Sequence, residues 1–86
     1  MLKVRGYCKV RIITDCNRSG IDDINETMTM SLYELRSVYY DLKNTSSVII
    51  HSKRMTALNN NRLFSILLLD ENIFWEEIIN NNSQAV

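Results

Sequence analysis

The sequence predicts an α+β protein in which a four-stranded, mainly antiparallel sheet carries two helices in the order ββαββα. Stretches of alternating polar and apolar residues, typical of half-buried strands, precede each of two stretches with helical spacing. The 86 residues include no proline and 2 glycines, and the hydrophobic share of 45% is too high for a disordered chain. Because a chain of this length supports one core, we expect a single domain over residues 1–80 and a polar tail over residues 81–86.

The first predicted strand, residues 3–15, alternates with a period of two. Its apolar row, which contains Cys8, Val10 and Ile12, is expected to face a core. The opposite row is basic with one aromatic residue, and it consists of Lys3, Arg5, Tyr7, Lys9 and Arg11. Such a row can follow a phosphate backbone while the tyrosine stacks on a base. The alternative is that these cations keep an exposed strand soluble and prevent it from pairing with another chain.

A turn-rich loop over residues 15–23, with Gly20 at a position of free backbone conformation, is expected to close a hairpin with a second strand. Ser31 and Glu34 then have the spacing of a capping box, which predicts that a helix begins there. The side chains expected to pack from this helix lie at helical spacing, and they are Leu32, Leu35, Val38, Tyr39 and Leu42.

The second half of the chain resembles the first in its pattern. Residues 47–55 predict a strand, residues 56–61 a turn and residues 62–69 a strongly apolar strand. Asp70 is expected to cap a second helix. The expected buried residues of this helix are Ile73, Phe74, Trp75, Ile78 and Ile79. Aligning the two helix caps suggests a ββα unit used twice.

Charge also follows this plan, although the formal net charge is zero. Residues 1–20 and 46–69 are basic, whereas residues 21–45 and 70–86 are acidic. If both helices cover one face of the sheet, the open face is positive and the back negative, which favours a polyanionic ligand. The alternative is that the acids serve only the helix dipoles. The predicted nucleic-acid contacts are Lys3, Arg5, Tyr7, Lys9, Arg11, Arg18, His51, Lys53, Arg54 and Arg62.

No catalytic constellation appears in the sequence, so we do not expect an enzyme. His51 is interpreted as a surface contact, although a small nuclease could use it with Lys53 or Arg54 on an RNA phosphate. Cys8 and Cys16 lie too far apart on one strand to bridge, and with a single histidine they do not make a zinc site. We therefore expect reduced cysteines, no metal, no cofactor and, in the absence of a signal or membrane segment, a cytoplasmic protein.

The predicted strand over residues 62–69 is apolar on both sides, and a strand of this kind needs cover on both sides. In so short a chain the second cover is expected to be another copy. The sequence therefore predicts a homodimer with Phe64, Ile66 and Leu68 in its interface.

Small size, the absence of proline and the many Asn and Ile residues give the chain a distinctive character. In this character it resembles the small accessory proteins of T-even-type phages, and within them the toxin inhibitory factors. The resemblance extends over the whole chain without an anchoring motif, so no residue role is carried over from it. It implies a counter-defence protein that acts in the host cytoplasm on RNA and on a host endoribonuclease toxin.

Two hypotheses about function follow. The first is an RNA-binding, dimeric inhibitor that holds single-stranded RNA on its basic face. The second is a protein-only interaction module, in which the same face meets an acidic host partner and no nucleic acid is bound.

Overall fold

A computed structural model describes residues 6–16, 24–60 and 62–80. In chain order its elements are β1 (Tyr7–Cys16), β2 (Ile24–Ser31), α1 (Leu32–Thr45), β3 (Ser47–His51), β4 (Arg54–Asn59), β5 (Arg62–Leu68) and α2 (Trp75–Asn80). All strand pairs are antiparallel, and the strand order across the sheet is β2-β1-β5-β4-β3. The α+β class with an antiparallel sheet and two helices is therefore confirmed. The predicted number of strands is wrong, because the sheet has five strands and the element order is ββαβββα.

The additional strand arises from a tight turn that was not predicted from the sequence. Residues 47–55 were expected to form one strand, but the chain reverses at Ser52 and Lys53, where Ser52 has a φ of 57°. The turn predicted over residues 56–61 starts later than expected, because β4 continues to Asn59 and the chain turns at Asn60, where φ is 50°. The turn at Ser52 and Lys53 contains neither glycine nor proline, which are the residues that mark turns most clearly. With three strands in its second half, the chain does not consist of two equal ββα units.

Helix α1 begins as predicted. The Ser31 hydroxyl accepts the Glu34 N–H at 3.0 Å, and the Glu34 carboxylate accepts the Ser31 N–H at 3.1 Å, which completes the capping box. Leu35 is fully buried, and the other apolar residues of this helix face pack at the margin of the core. Because β2 and β3 lie at opposite edges of the sheet, α1 crosses the whole sheet between them.

The core lies between the sheet and the helices. Val10, Met55 and Ile66 project from three strands into it, and each is fully buried. Trp75 at the start of α2 is also fully buried, and its indole Nε1–H donates to the Ile66 carbonyl at 3.2 Å. The indole nitrogen therefore has a partner, as a buried polar group requires. Cys8 belongs to this core as a free thiol, which agrees with the sequence prediction.

Helix α2 begins later than predicted. Asp70 does not cap it, because its carboxylate accepts the Asn72 N–H at 2.9 Å within the preceding turn. The helix begins at Trp75, whose N–H donates to the Ser52 carbonyl at 3.1 Å and joins α2 to the β3–β4 turn. Phe74 remains 39% exposed, so it is not the core residue that helical spacing suggested.

The expected dimer residues lie on the wrong face for that role. Ile66 and Leu68 are buried under the helices, and Phe64 packs partly against the same core. Their positions follow from pairing with β1, which sets Ile66 opposite Ile12 and Leu68 opposite Val10. Since directly paired residues share a face, the second apolar row of β5 points outward instead. That row consists of Leu63 and Leu67, continued by Leu69.

Several sequence predictions concern parts of the chain outside the described residues. They are Lys3, Arg5, Arg18, the loop around Gly20 and the tail over residues 81–86. None of the described helices has the length and apolar character needed to cross a membrane.

Candidate functional site

The candidate site is the sheet face that the helices leave uncovered, which we call the open face. Strand β1 reaches it through Tyr7, Lys9 and Arg11, all exposed, while the alternate residues Cys8 and Val10 are buried. Tyr7 has 73% of its surface exposed, so its ring is available to a ligand. The period of two in β1 therefore separates core from basic residues as the sequence predicted.

Pairing across the sheet brings further cations beside this strand. Arg11 lies opposite Leu67, Leu67 opposite Arg54, and Arg54 opposite His51. These four residues form one line across four strands, which we call the cross-strand row. Neighbouring strands are about 4.8 Å apart, so the backbones of Arg11 and Arg54 are separated by roughly 10 Å. The long side chains of Arg11 and Arg54, on either side of Leu67, can both contact one extended anionic chain.

Beyond the cross-strand row the open face becomes partly apolar. Leu58 lies directly opposite Leu63, and their exposed fractions are 49% and 38%. Ile49 on the edge strand β3 is 67% exposed. At the centre of the face Ser65 is buried although neither described helix covers it, and its hydroxyl lies 3.3 Å from that of Thr56. The open face thus combines cations with exposed aliphatic side chains further along the same strands.

The charges of the two faces differ in sign. Lys9, Arg11 and Arg54 are the charged groups among the described side chains of the open face, and no acid lies with them. Asp15 has a register position on this face, but its side chain is outside the described set. The side that carries the helices and the loop before α2 is rich in acids, among them Glu26, Glu34, Asp41, Asp70, Glu71, Glu76 and Glu77.

Two predicted contacts lie away from this face. The Lys53 ammonium donates to the backbone carbonyls of Asp70 and Ile73, the latter at 2.6 Å, and lies 4.2 Å from the centre of the Phe74 ring. Lys53 therefore joins the β3–β4 turn to the segment before α2. Arg62 is exposed, but its register places it on the same side of β5 as Phe64, the helix side. The position of Arg62 follows from the alternation of side chains along β5, whereas Lys53 lies in the β3–β4 turn, which directs it away from Arg54.

The structure adds apolar residues that sequence reasoning did not assign to the site. They are Ile13, Ile49, Leu58, Leu63 and Leu67. The alternation within β5 identifies its two apolar rows, but it does not show which row is buried. A shift of one residue in register exchanges the two faces of a strand. Pairing with β1 and β4 sets the register of β5 here, and β4 was not recognised as a separate strand in the sequence.

The functional groups of the open face are those of a binding surface: cations, an aromatic ring, an imidazole and aliphatic side chains. Within the described part of the chain, no three His, Cys, Asp or Glu residues lie together as a metal site would require. A phosphate chain can bind the cations, and bases can lie on Tyr7 on one side of them or on the aliphatic side chains on the other side.

Fold and site together define a class: small α+β proteins with helices on one side of an antiparallel sheet and a basic, partly apolar open face on the other. Comparison with protein-family models, curated proteins and solved structures finds no match for this chain.

Proposed function

We propose that the protein binds single-stranded RNA on its open face. The observation that carries the proposal is the cross-strand row, which places Arg11, Arg54 and His51 on one uncovered surface with Lys9 beside them. Residues of β1 converge there with residues of the β3–β4 hairpin, which is distant from β1 in the sequence. Cations that served only to keep one strand soluble would not need this convergence.

Single strands fit the face better than a duplex does. The surface is a sheet with an exposed tyrosine and aliphatic side chains, and unstacked bases can lie against such groups. Neither helix presents the basic surface with which a helix enters a major groove, because the described acids lie on the helix side. The cations then hold phosphates while Tyr7 stacks on a base.

The test is a titration of fluorescently labelled oligouridine with the full chain at several salt concentrations. Each phosphate contact contributes about −0.7 to the slope of log affinity against log salt, so Lys9, Arg11 and Arg54 together predict a slope near −2. Lys3 and Arg5 would steepen it further if they join the contact. An affinity that does not change with salt, or the absence of binding at low salt, would contradict the proposal.

An acidic protein partner is the alternative, and the exposed pair of Leu58 and Leu63 on the same face as the cations favours it. Protein interfaces combine an apolar centre with a polar rim, and this face offers both. Absorbance at 260 nm of freshly purified protein separates the two functions. Nucleic acid that co-purifies and is released by ribonuclease supports RNA binding, whereas clean protein that fails to bind oligouridine supports the alternative.

The counter-defence role implied by the resemblance to phage accessory proteins stays a prediction. It expects that the protein relieves the growth arrest caused by a host endoribonuclease toxin. Its direct test is co-expression of the toxin with the wild-type chain and with an Arg11→Ala, Arg54→Ala double variant. If both chains restore growth equally, the open face has no part in the inhibition.

A further inference from the structure

We propose that the outer edge of β3 pairs with β3 of a second copy, so that two sheets join edge to edge as one ten-stranded sheet. Strand β3 lies at one margin of the sheet, and in the described part of the chain β4 alone pairs with it. Its sequence, Ser-Val-Ile-Ile-His, contains no lysine, glutamate, proline or glycine. Exposed edges usually carry such residues because they prevent pairing with other chains.

The alternation of hydrogen bonds between the strands shows which backbone amides and carbonyls of β3 point away from β4, towards the outer edge of the sheet. The Leu68 N–H donates to the Lys53 carbonyl at 2.8 Å, which directs the odd-numbered residues of β4 towards β5. The even-numbered residues of β4 therefore bond to β3, where their partners are His51, Ile49 and Ser47. Val48 and Ile50, which lie between those partners, turn their amides and carbonyls away from the sheet. Two residues thus offer paired donors and acceptors at the edge.

This hydrogen-bond pattern fits a two-fold axis that runs perpendicular to the sheet, midway between the Ile49 residues of the two copies. Val48 of each copy then lies opposite Ile50 of the other, and these outward groups exchange their hydrogen bonds. The two Ile49 residues face each other as a non-hydrogen-bonded pair, with Cα atoms about 4.5 Å apart. Ile49 has the largest exposed fraction of any aliphatic side chain in the described residues, 67%, and the pairing buries it.

The surface beside the edge also accommodates a second strand. A cavity of about 500 Å³ lies next to β3, and its lining combines three apolar residues, Ile50, Phe74 and Ile79, with the polar Ser52, Glu76 and Asn80. Directly paired residues share a face, so Val48 of the second copy lies beside Ile50 at this cavity. The opposite edge differs, because β2 contains the acidic residue Glu26 beside its threonine and methionine residues, whereas β3 contains no acid. We therefore assign the contact to β3 and not to β2.

A five-residue edge buries less than the roughly 800 Å² per partner of a standard stable interface, so the dimer should depend on concentration. We expect light scattering of the wild-type chain to rise from the monomer mass of 10.1 kDa towards twice that value between micromolar and millimolar concentration. A constant monomer mass would overturn the proposal, and the edge would then be available for pairing with a segment of another protein.

Charged variants test the register. Because Ile49 meets itself across the axis, Ile49→Glu and Ile49→Lys should each remain monomeric, while an equimolar mixture should regain the dimer. Leu58→Glu is the matched control, since Leu58 is exposed on the same face but lies on the inner strand β4. A dimer that survives in both single variants, or a mixture that stays monomeric, would exclude this axis.

A cysteine variant gives an independent readout. In Ile49→Cys the two Cα atoms would lie within the range that a disulfide bridges, so mild oxidation should yield a covalent dimer. The wild-type chain and Leu58→Cys serve as controls and should cross-link far less, because their thiols do not meet across the axis. Equal cross-linking of Ile49→Cys and Leu58→Cys would argue for random collision and against the pairing.

Discussion

Arg11 and Arg54 lie on either side of Leu67 in one line across the sheet, although 42 residues separate them in the chain. Strand β5 brings them together because it pairs with β1 on one side and β4 on the other. If this arrangement holds RNA, the two arginines should be equivalent in their effect. Arg11→Ala and Arg54→Ala should each flatten the salt slope by about 0.7 and weaken all RNA sequences alike. Oligouridine titrations at several salt concentrations measure this effect.

Lys43→Ala is the matched control for these two variants, since Lys43 is exposed in the last turn of α1 on the acidic side. Its salt slope should equal that of the wild type. Arg62→Ala tests the assignment of Arg62 to the helix side and should behave in the same way. A slope reduced equally by all four substitutions would indicate a diffuse charge effect in place of a defined contact.

Tyr7→Ala should weaken RNA binding without changing the salt slope. Stacking of a base on an aromatic ring contributes about 1–3 kcal/mol, and this contribution does not release counterions. Tyr7→Phe keeps the ring and should bind as the wild type does. Because Tyr7 is 73% exposed, both variants should retain the wild-type melting temperature in circular dichroism. Unchanged affinity of folded Tyr7→Ala would remove stacking from the proposal.

Neighbouring cations in the β3–β4 hairpin should have opposite roles. Lys53→Met removes an ammonium that donates to two backbone carbonyls, so we expect a loss of about 1–3 kcal/mol in the free energy of unfolding. Its RNA affinity should be unchanged. Arg54→Met should lower RNA affinity and leave stability unchanged, because Arg54 is exposed on the open face. Urea denaturation and RNA titration of the same two variants measure stability and RNA affinity. If Lys53→Met lowers the RNA affinity and Arg54→Met does not, the RNA binds on the helix side.

Trp75 should contribute strongly to stability because it is fully buried and its indole N–H is bonded to the Ile66 carbonyl. Trp75→Ala should cost about 3–5 kcal/mol of unfolding free energy, and in a domain this small that can prevent folding. Trp75→Phe keeps most of the apolar area and loses the hydrogen bond, so its cost should be smaller. The exposed neighbour Glu76 provides the control, and Glu76→Ala should change the urea midpoint little.

The capping box gives a smaller, local prediction. Ser31→Ala removes the hydroxyl that accepts the Glu34 N–H, which should cost about 1 kcal/mol. Ser31→Asp keeps an acceptor at the same position and should restore most of that loss. Thermal unfolding monitored at 222 nm measures both, and equal melting temperatures for wild type and Ser31→Ala would mean that the cap adds nothing to the stability of this helix.

Local patterns in the sequence determined a large part of this structure. The period of two in β1 separates buried Cys8 and Val10 from exposed Lys9 and Arg11, because neighbouring residues of a strand face opposite sides. The Ser31–Glu34 spacing determines where α1 begins, since the two groups satisfy each other's amides within one turn. In both cases the physical cause acts between residues that are close in the chain.

The tertiary structure alone decided the rest. Strand β5 has two apolar rows, and pairing of Ile66 with both Ile12 and Met55 determined that its row is the buried one. The turn at Ser52 separated β3 from β4 and directed Lys53 and Arg54 to opposite sides. Arg11 joined Arg54 through the strand between them. These outcomes depend on register between distant segments, and a shift of one residue, which barely alters the local pattern, exchanges the faces of a whole strand.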